Sequence, residues 1–350
     1  MKKVVILLFL IPKILIFCSV LSAAPSKKDY AYKLSIAAIF KNESFYLKEW
    51  IEYHRIAGVE HFWLYNNSST DNGLEILAPY VKQGIVDVVD WPTRDKVGNW
   101  SIEKSLKNKI SNRLMFAITQ REAYHNALKR SAGITKWLAV IDLDEFLVPL
   151  QEATVTETLE KHFTRASAVY VNWLTFGTSN ITLKDQESIL FNLVQCSPIK
   201  SSINKLGKSI VRTDHAVFKN TLLPFIDVHY FVMDKKNQHY YNGDGDLMAA
   251  DPIFEDTFDK KNHREYSKGY FAKFIRINHY KMGDEKYFCE RRIGKQQENS
   301  SQSQENLLAD YHLFNREKDF SIISYIENKH TEKYKALWNN GFFSRVYVGN

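Results

Sequence analysis

The stretch WLAVIDLDEFLVP, residues 137–149, decides how the rest of the chain is read. Its first five residues, Trp137 through Ile141, form an apolar run too short for a typical helix and ending in β-favouring Val140 and Ile141, which predicts a buried strand. Polarity then switches abruptly to Asp142-Leu143-Asp144-Glu145. Alternate side chains of an extended chain share a face, so Asp142 and Asp144 point together while Leu143 turns away. Three carboxylates in four residues repel one another unless a cation lies among them. Hard oxygen ligands at the carboxyl end of a sheet strand suit Mg²⁺ or Mn²⁺ carrying a phosphorylated ligand. A solvated acidic turn after a core strand is the alternative, and the flanking sequence has to choose.

Upstream, the hydrophobic pattern alternates between strand and helix. Residues 34–40 predict a strand, followed by Asn42 as an N-cap and Glu43 in the first turn of a helix reaching Ala57. Tyr46, Trp50, Tyr53 and Ala57 recur at helical spacing, and Gly58 supplies the stop. A second strand at 59–65 leads into the polar turn Asn66-Asn67-Ser68-Ser69. Thr70 or Asp71 caps a second helix ending near Gly84, and 85–91 give a third strand closed by Pro92. This order predicts a parallel, right-handed βαβ sheet. Residues 93–112 read as a surface loop, and 113–132 as a helix entering the acidic strand. The turns after Phe40, Tyr65 and Ile141 then fall on one rim, where open α/β sheets bind ligands.

Beyond Pro149 the pattern becomes α+β. A helix is expected at 154–163, strands at 168–176, 189–195, 209–212, 226–232 and 274–280, and helices at 284–295 and 320–338. Residues 296–306, rich in Gln, Ser, Asn and Glu, read as a polar linker before a C-terminal helical segment at 307–350.

Composition narrows the functional classes. With 350 residues and 45% hydrophobic content the chain can bury a sizeable core. Residues 1–24 combine Lys2 and Lys3, an apolar run and the small residues Ser22-Ala23-Ala24, which predicts an export signal or, uncleaved, a signal anchor. The protein is therefore expected to be exported or secretory, or membrane-anchored through this segment alone. The formal charge is +7, but Lys2, Lys3 and Lys13 belong to the leader, leaving 44 basic against 40 acidic residues. So small a surplus, with no clustered basic-aromatic motif, argues against a nucleic-acid partner. Cys196 and Cys289 lack zinc-finger spacing. The absence of a GxxxxGK[ST] loop weighs against a P-loop nucleotidyl- or phosphotransferase.

Five segments taken together, FKNESFYLKEWIEYHRIAGVEHFWLYNNSSTD (40–71), WLAVIDLDEFLVP, VNWLTFGTS (171–179), KSIVR (208–212) and RINHYKM (276–282), resemble glycosyltransferase family 92 and related bacterial GT-A (family 2-like) enzymes. The resemblance implies a GT-A domain at 30–295: a Rossmann-like mixed sheet flanked by helices, its second half completing the acceptor side. It also implies a metal-dependent hexosyltransferase, taking a nucleotide-sugar donor (UDP-linked, with galactose the first sugar to test) and a glycan or other hydroxyl acceptor, by inversion. Mn²⁺ or Mg²⁺ would sit on Asp142 and Asp144, with Glu145 beside them and His279 as a further ligand; His229 is the runner-up. The turn at 66–71 resembles the DDGSTD turn that grips uridine in family 2 enzymes, with Asn66 and Asn67 in its leading places.

By the same likeness Asn42, Glu43, Asn66, Asn67, Asp71, Gln120, Lys208 and Arg212 are candidate donor contacts, with Arg121 next to Gln120. Trp173 and Phe176 are a candidate acceptor platform. The general base stays open among Asp214, Asp227 and Glu187. Each residue also has a plain alternative: helix capping for Glu43 and the 66–71 turn, a core position for Trp173, a strand-edge charge for Lys208 and Arg212. A non-catalytic carbohydrate-binding surface protein on the same fold is the competing reading.

Overall fold

The computed structural model describes residues 29–93, 96–97, 100–101, 112–184, 187–215, 229–231, 239–248, 269–293 and 304–339. The leader at 1–24, most of the 93–112 loop, Asp227, the greater part of the expected linker and residues 340–350 lie outside them. Among the described residues, no helix is long and apolar enough to cross a membrane.

Strands β1 (Tyr32–Phe40), β2 (His61–Asn66) and β3 (Val86–Asp90) are parallel, joined through α1 (Ser44–Ile56) and α2 (Gly73–Lys82). A two-stranded ribbon, β4 (Lys96–Val97) with β5 (Trp100–Ser101), precedes α3 (Asn112–Ser131), and β6 (Thr135–Val140) then returns beside β1 with Ala37 opposite Val140. Buried residues alternate along β1 between two cores. Leu34, Ile36, Ala38 and Phe40 pack with Tyr46, Leu47 and Trp50 of α1. Ala37 and Ile39 face Ala123, Tyr124 and Ala127 of α3. Both faces are covered, which is why the strand is apolar from Leu34 onward apart from Ser35, whose buried hydroxyl pairs with that of Thr135 at 2.9 Å.

The second half adds β7 (Glu145–Pro149), α4 (Val155–His162), β8 (Ala168–Thr175), α5 (Ile189–Asn192), β9 (Gln195–Cys196), β10 (Gly207–Arg212), β11 (Tyr240–Asn242), β12 (Ile275–His279), α6 (Glu285–Phe288), α7 (Gln304–Phe314), β13 (Glu317–Lys318), α8 (Ser321–Lys329) and α9 (Thr331–Asn339). The main sheet runs β3-β2-β1-β6-β10-β8-β12-β7, with β11 alongside β8. β10 is antiparallel to both its neighbours, and β12 lies parallel to β8 but antiparallel to β7. This is the Rossmann-like mixed sheet flanked by helices that the resemblance implied.

The edge strand β7 is closed off by side chains of α1. Trp50 Nε1 donates to the carbonyl of Glu145 at 2.8 Å and Tyr53 Oη to that of Leu147 at 2.8 Å. The Leu147 amide donates to His54 Nε2 at 3.1 Å. That ring is therefore neutral, with Nδ1–H directed at the Trp50 carbonyl 2.8 Å away, and burial lowers its pKa to about 3. A free sheet edge invites unwanted pairing; here the amphipathic helix satisfies it, and so fixes the strand that begins with Glu145.

Several local expectations change. Of the strand expected at 189–195 only Gln195, the start of β9, is extended in a sheet; residues 189–192 are helical, since Ser188 caps the turn at the Phe191 amide and the buried Glu49 carboxylate accepts from the Ile189 and Leu190 amides. An apolar run without a strand partner had its backbone donors taken by a side chain. The helix expected at 284–295 is α6 followed by a π-helical turn at Cys289–Ile293. Residues 320–338 form two helices, interrupted at His330, whose φ of −139° is not helical. Of 226–232 only 229–231 are described, and they form no continuous strand. α7 begins inside the stretch expected as linker.

Candidate active site

The acidic turn lies between β6 and β7, at the carboxyl edge of the parallel strands. Asp142, 34% exposed, accepts three hydrogen bonds through its carboxylate. Gln120 Nε2 and Tyr124 Oη reach Oδ1 at 3.0 Å each, and Lys208 Nζ reaches Oδ2 at 2.8 Å. Gln120 and Tyr124 stand one helical turn apart on α3, so one face carries both. Lys208 rises from β10 with only 2% of its side chain exposed. Burial works against its charge, but Asp142 and Glu145 outweigh burial and hold its pKa above the usual lysine value.

Glu145 is completely buried. Its Oε2 accepts from the Asp142 amide at 2.9 Å, which closes the turn, while Oε1 has no hydrogen bond among the described residues. Burial pushes its pKa well up; Lys208 pulls it down, and the Asp142 and Asp144 carboxylates raise it again. β12 places His279 opposite Glu145, and His279 Nε2 lies 3.3 Å from Asp144 Oδ2. Ligand atoms of Asp144, Glu145 and His279 all fall within 4.8 Å of one another. Buried polar atoms left unpaired are costly, and Glu145 Oε1 and His279 Nδ1 are both in that state. Two carboxylates and an imidazole are a donor set that suits Mn²⁺ and accommodates Mg²⁺. The residues fit a divalent cation, and Asp142, expected among its ligands, stands outside this trio.

Trp173 packs its ring 4.5 Å from that of His279 and 5.5 Å from that of His229, and only 7% of it is exposed. It backs the histidine instead of presenting an open face. Phe176 is fully buried against Tyr280 at 4.7 Å and offers no platform to an acceptor. His229 Nδ1–H donates to the Gly207 carbonyl at 2.7 Å, and the residue is not in the acidic trio.

On the neighbouring part of the rim, the residues expected around the donor are knit to one another. Asn42 adopts φ +56°, a left-handed conformation that asparagine tolerates, and its Oδ1 accepts from the Thr70 amide at 2.6 Å. It is thus a clasp between two loops and not the N-cap of α1. Asp71 caps two helices at once, with Oδ2 on the Ser44 amide at 2.9 Å and Oδ1 on the Gly73 amide at 3.2 Å. Asn66 bonds Asp90 and the Ser69 amide; Asn67 bonds the Trp91 carbonyl and Thr93. Glu43 pairs with Arg291 at 2.6 Å and with Tyr287 at 2.7 Å.

Other candidates lie elsewhere. Arg212 is four residues beyond Lys208 on β10, roughly 13 Å along the strand, where it pairs with Asp214 at 2.9 Å and covers Trp137. Neither Arg212 nor Asp214 reaches the acidic turn. Glu187 borders a cavity of about 690 Å³ shared with Asn42, Asp71, Tyr287 and Arg291, on the α1/α2 side of the rim. Arg121 is half-buried beside Gln120. Tyr124 was missed from sequence, although its i, i+4 relation to Gln120 was a usable signal.

The model of glycosyltransferase family 92 matches residues 30–323. A family 92 protein of Ricinus communis is 22% identical over 224 residues, covering 62% of this chain and 34% of that protein. One from Oryza sativa subsp. japonica is 24% identical over 237 residues, covering 65% and 35%. The chain thus spans about a third of the length of these curated relatives. Among solved structures, S. aureus TarS in complex with UDP-GlcNAc aligns at 14% identity and TM-score 0.31, covering 52% of this chain and 45% of that one. Glucosyl-3-phosphoglycerate synthase from Mycobacterium tuberculosis aligns at 12% identity and TM-score 0.28, covering 52% and 57%. Likeness at these scores bears on neither substrate nor mechanism. The family match, by contrast, takes in the parallel half, the acidic turn and the His279 strand together: the chain belongs to glycosyltransferase family 92.

Proposed function

We propose that the protein transfers a sugar from a nucleotide-sugar donor, UDP-linked, to a hydroxyl of a glycan acceptor, with inversion at the anomeric carbon. The observation that carries this reading is the meeting of Asp144, Glu145 and His279 beside Asp142, at the sheet rim of a family 92 chain. Mn²⁺ or Mg²⁺ held by that trio would neutralise the departing diphosphate. The chain's own residues prepare the place for it. Trp173 fixes the His279 ring, Trp50 fixes the Glu145 backbone, and Lys208 pairs with Asp142. Asp142, oriented by three donors and one-third exposed, is left to accept from the donor's hydroxyls.

The test is a screen of nucleotide sugars, UDP-galactose first, with Mn²⁺, with Mg²⁺ and with chelator. Metal-dependent release of nucleotide from one donor supports the reading. One observation favours a second reading, a carbohydrate-binding protein without turnover: of the carboxylates considered as base, Asp214 is remote from the turn and Glu187 sits on the separate cavity. Metal-independent glycan binding with no nucleotide release from any donor would select that alternative.

A further inference from the structure

We infer that the cavity enclosed by α1, α2 and the segments around Leu183 and Tyr287 is a second carbohydrate site, which takes up a neutral, hydroxyl-rich glycan apart from the acidic turn. The inference goes beyond the functional reading above and does not depend on it.

The cavity has a volume of about 690 Å³, inside the range of about 300–1,000 Å³ usual for small-molecule sites. Among the described residues that border it, none belongs to the acidic turn. Its walls are fixed by carboxylates spent on backbone amides. Asp284 accepts from the Leu183 amide at 2.8 Å and from the Tyr287 amide at 2.7 Å, and Glu187 accepts from the Lys184 amide at 2.9 Å. Asp71 bridges α1 and α2 in the same way. The Tyr287 ring stacks on Phe45 at 5.0 Å and carries the Arg291 guanidinium 5.4 Å from its centre. Walls joined before a ligand arrives lower the cost of binding it.

The groups left over select the ligand. Phe45, Ile76 and Leu183 supply a partly buried apolar surface. Around it, the side chains of Ser44, Asn72, Lys184, Lys286 and Glu290 make no hydrogen bond among the described residues. The two ammonium groups donate, the glutamate accepts, and the serine hydroxyl and asparagine amide can do both. A sugar ring matches that pattern, because it offers an apolar C–H face and hydroxyls that each donate and accept. Charge argues against the other obvious occupants. Four basic and five acidic side chains border the cavity, and burial raises the pKa of one of the acids, Glu49, to about 7. With so even a balance a diphosphate or polyanion would meet carboxylates, and a polycation would meet ammonium groups.

The experiment is glycan binding by the full chain in chelator, with no donor present. An array of neutral di- to tetrasaccharides, each printed beside its sulfated and sialylated forms, finds the tightest neutral binder, and calorimetry gives its affinity. At least one neutral glycan should bind, and its sulfated and sialylated forms no tighter. Asn72→Ala and Lys286→Ala each remove an exposed side chain that holds nothing else, so the fold stays. Each should weaken binding about two- to tenfold, the worth of one hydrogen bond. Asp144→Asn should bind the glycan as wild type does, and adding UDP with Mn²⁺ should not displace it. The inference is overturned if no neutral glycan binds, if the acidic forms bind tighter, or if both cavity variants bind like wild type. Loss of binding in Asp144→Asn, or displacement by UDP with Mn²⁺, would place the glycan at the acidic turn and overturn it equally.

Discussion

Trp50, on the first helix, donates its indole N–H to the backbone carbonyl of Glu145 at 2.8 Å, joining residues 95 positions apart. The bond fixes the residue whose carboxylate closes the acidic turn onto the Asp142 amide. Removing the indole leaves a buried carbonyl unpaired as well as a smaller ring in the core. Trp50→Phe should therefore cost about 1–3 kcal/mol of stability from the lost bond alone, and more from packing. Chemical denaturation checks the size. Mn²⁺ affinity should fall in the same variant, whereas a purely structural role would leave it alone.

A pH dependence follows from Glu49. Its carboxylate is buried beneath the 188–190 turn, and burial raises its pKa to about 7 against donors that pull it down, Ser188, the Ile189 amide, Tyr334 and the Leu190 amide. Between about pH 4.5 and 7 the folded protein keeps a proton that the unfolded chain has lost, so this group makes stability fall as pH rises through the window. The contribution approaches about 3 kcal/mol at the upper end. Denaturation of wild type and Glu49→Gln from pH 5 to 8 measures it: the difference between them should change across the window and level off above it. A constant difference would contradict the assignment.

Asp71 offers a test of scaffold against contact. Because it caps both α1 and α2, Asp71→Ala should cost about 1–4 kcal/mol, one to two capping interactions' worth. Asp71→Asn retains an acceptor for only one of the two helices and should lie between. Thermal or chemical unfolding of the three proteins gives the order.

Arg212 tests the geometry of the sheet. Its guanidinium is on the far part of β10 with Asp214, so Arg212→Gln should leave the affinity for UDP as in wild type, measured calorimetrically with Mn²⁺ present. A loss of UDP affinity comparable to that in an Asp142 variant would show that the strand does not separate the two positions.

Much of this was legible before the structure. The parallel half was readable because β2 and most of β1 are buried on both faces and the first two helices end on a glycine stop, Gly58 at φ +95° and Gly84 at φ +71°. The acidic turn and His279 were legible through the family motifs, but strand alternation misplaced Asp142, because residues 142–145 form a turn closed by the Glu145 amide on the Asp142 carbonyl at 3.1 Å. What stayed hidden depended on tertiary placement. The run at 189–195 looked like a strand, since nothing local discloses that Glu49 takes its amides. Lys208 and Arg212 share one short motif, yet four residues of strand carry them to different places. Phe176 looked available in a glycine-flanked segment, and only the fold reveals that Tyr280 covers it. Asn42 had the profile of an N-cap, but its side chain turns to the neighbouring loop.

The central claim is that Asp144, Glu145 and His279 make a cation site on which sugar transfer depends. Nucleotide release from a turned-over sugar donor, followed with and without Mn²⁺ in wild type and in Asp144→Asn, tests it most directly. The expected result is turnover in wild type that vanishes with chelator and falls by at least about a hundredfold in the variant, in line with the loss of a metal-held electrostatic contribution of roughly 3 kcal/mol. Turnover that persists in chelator, or an Asn variant as fast as wild type, would contradict it.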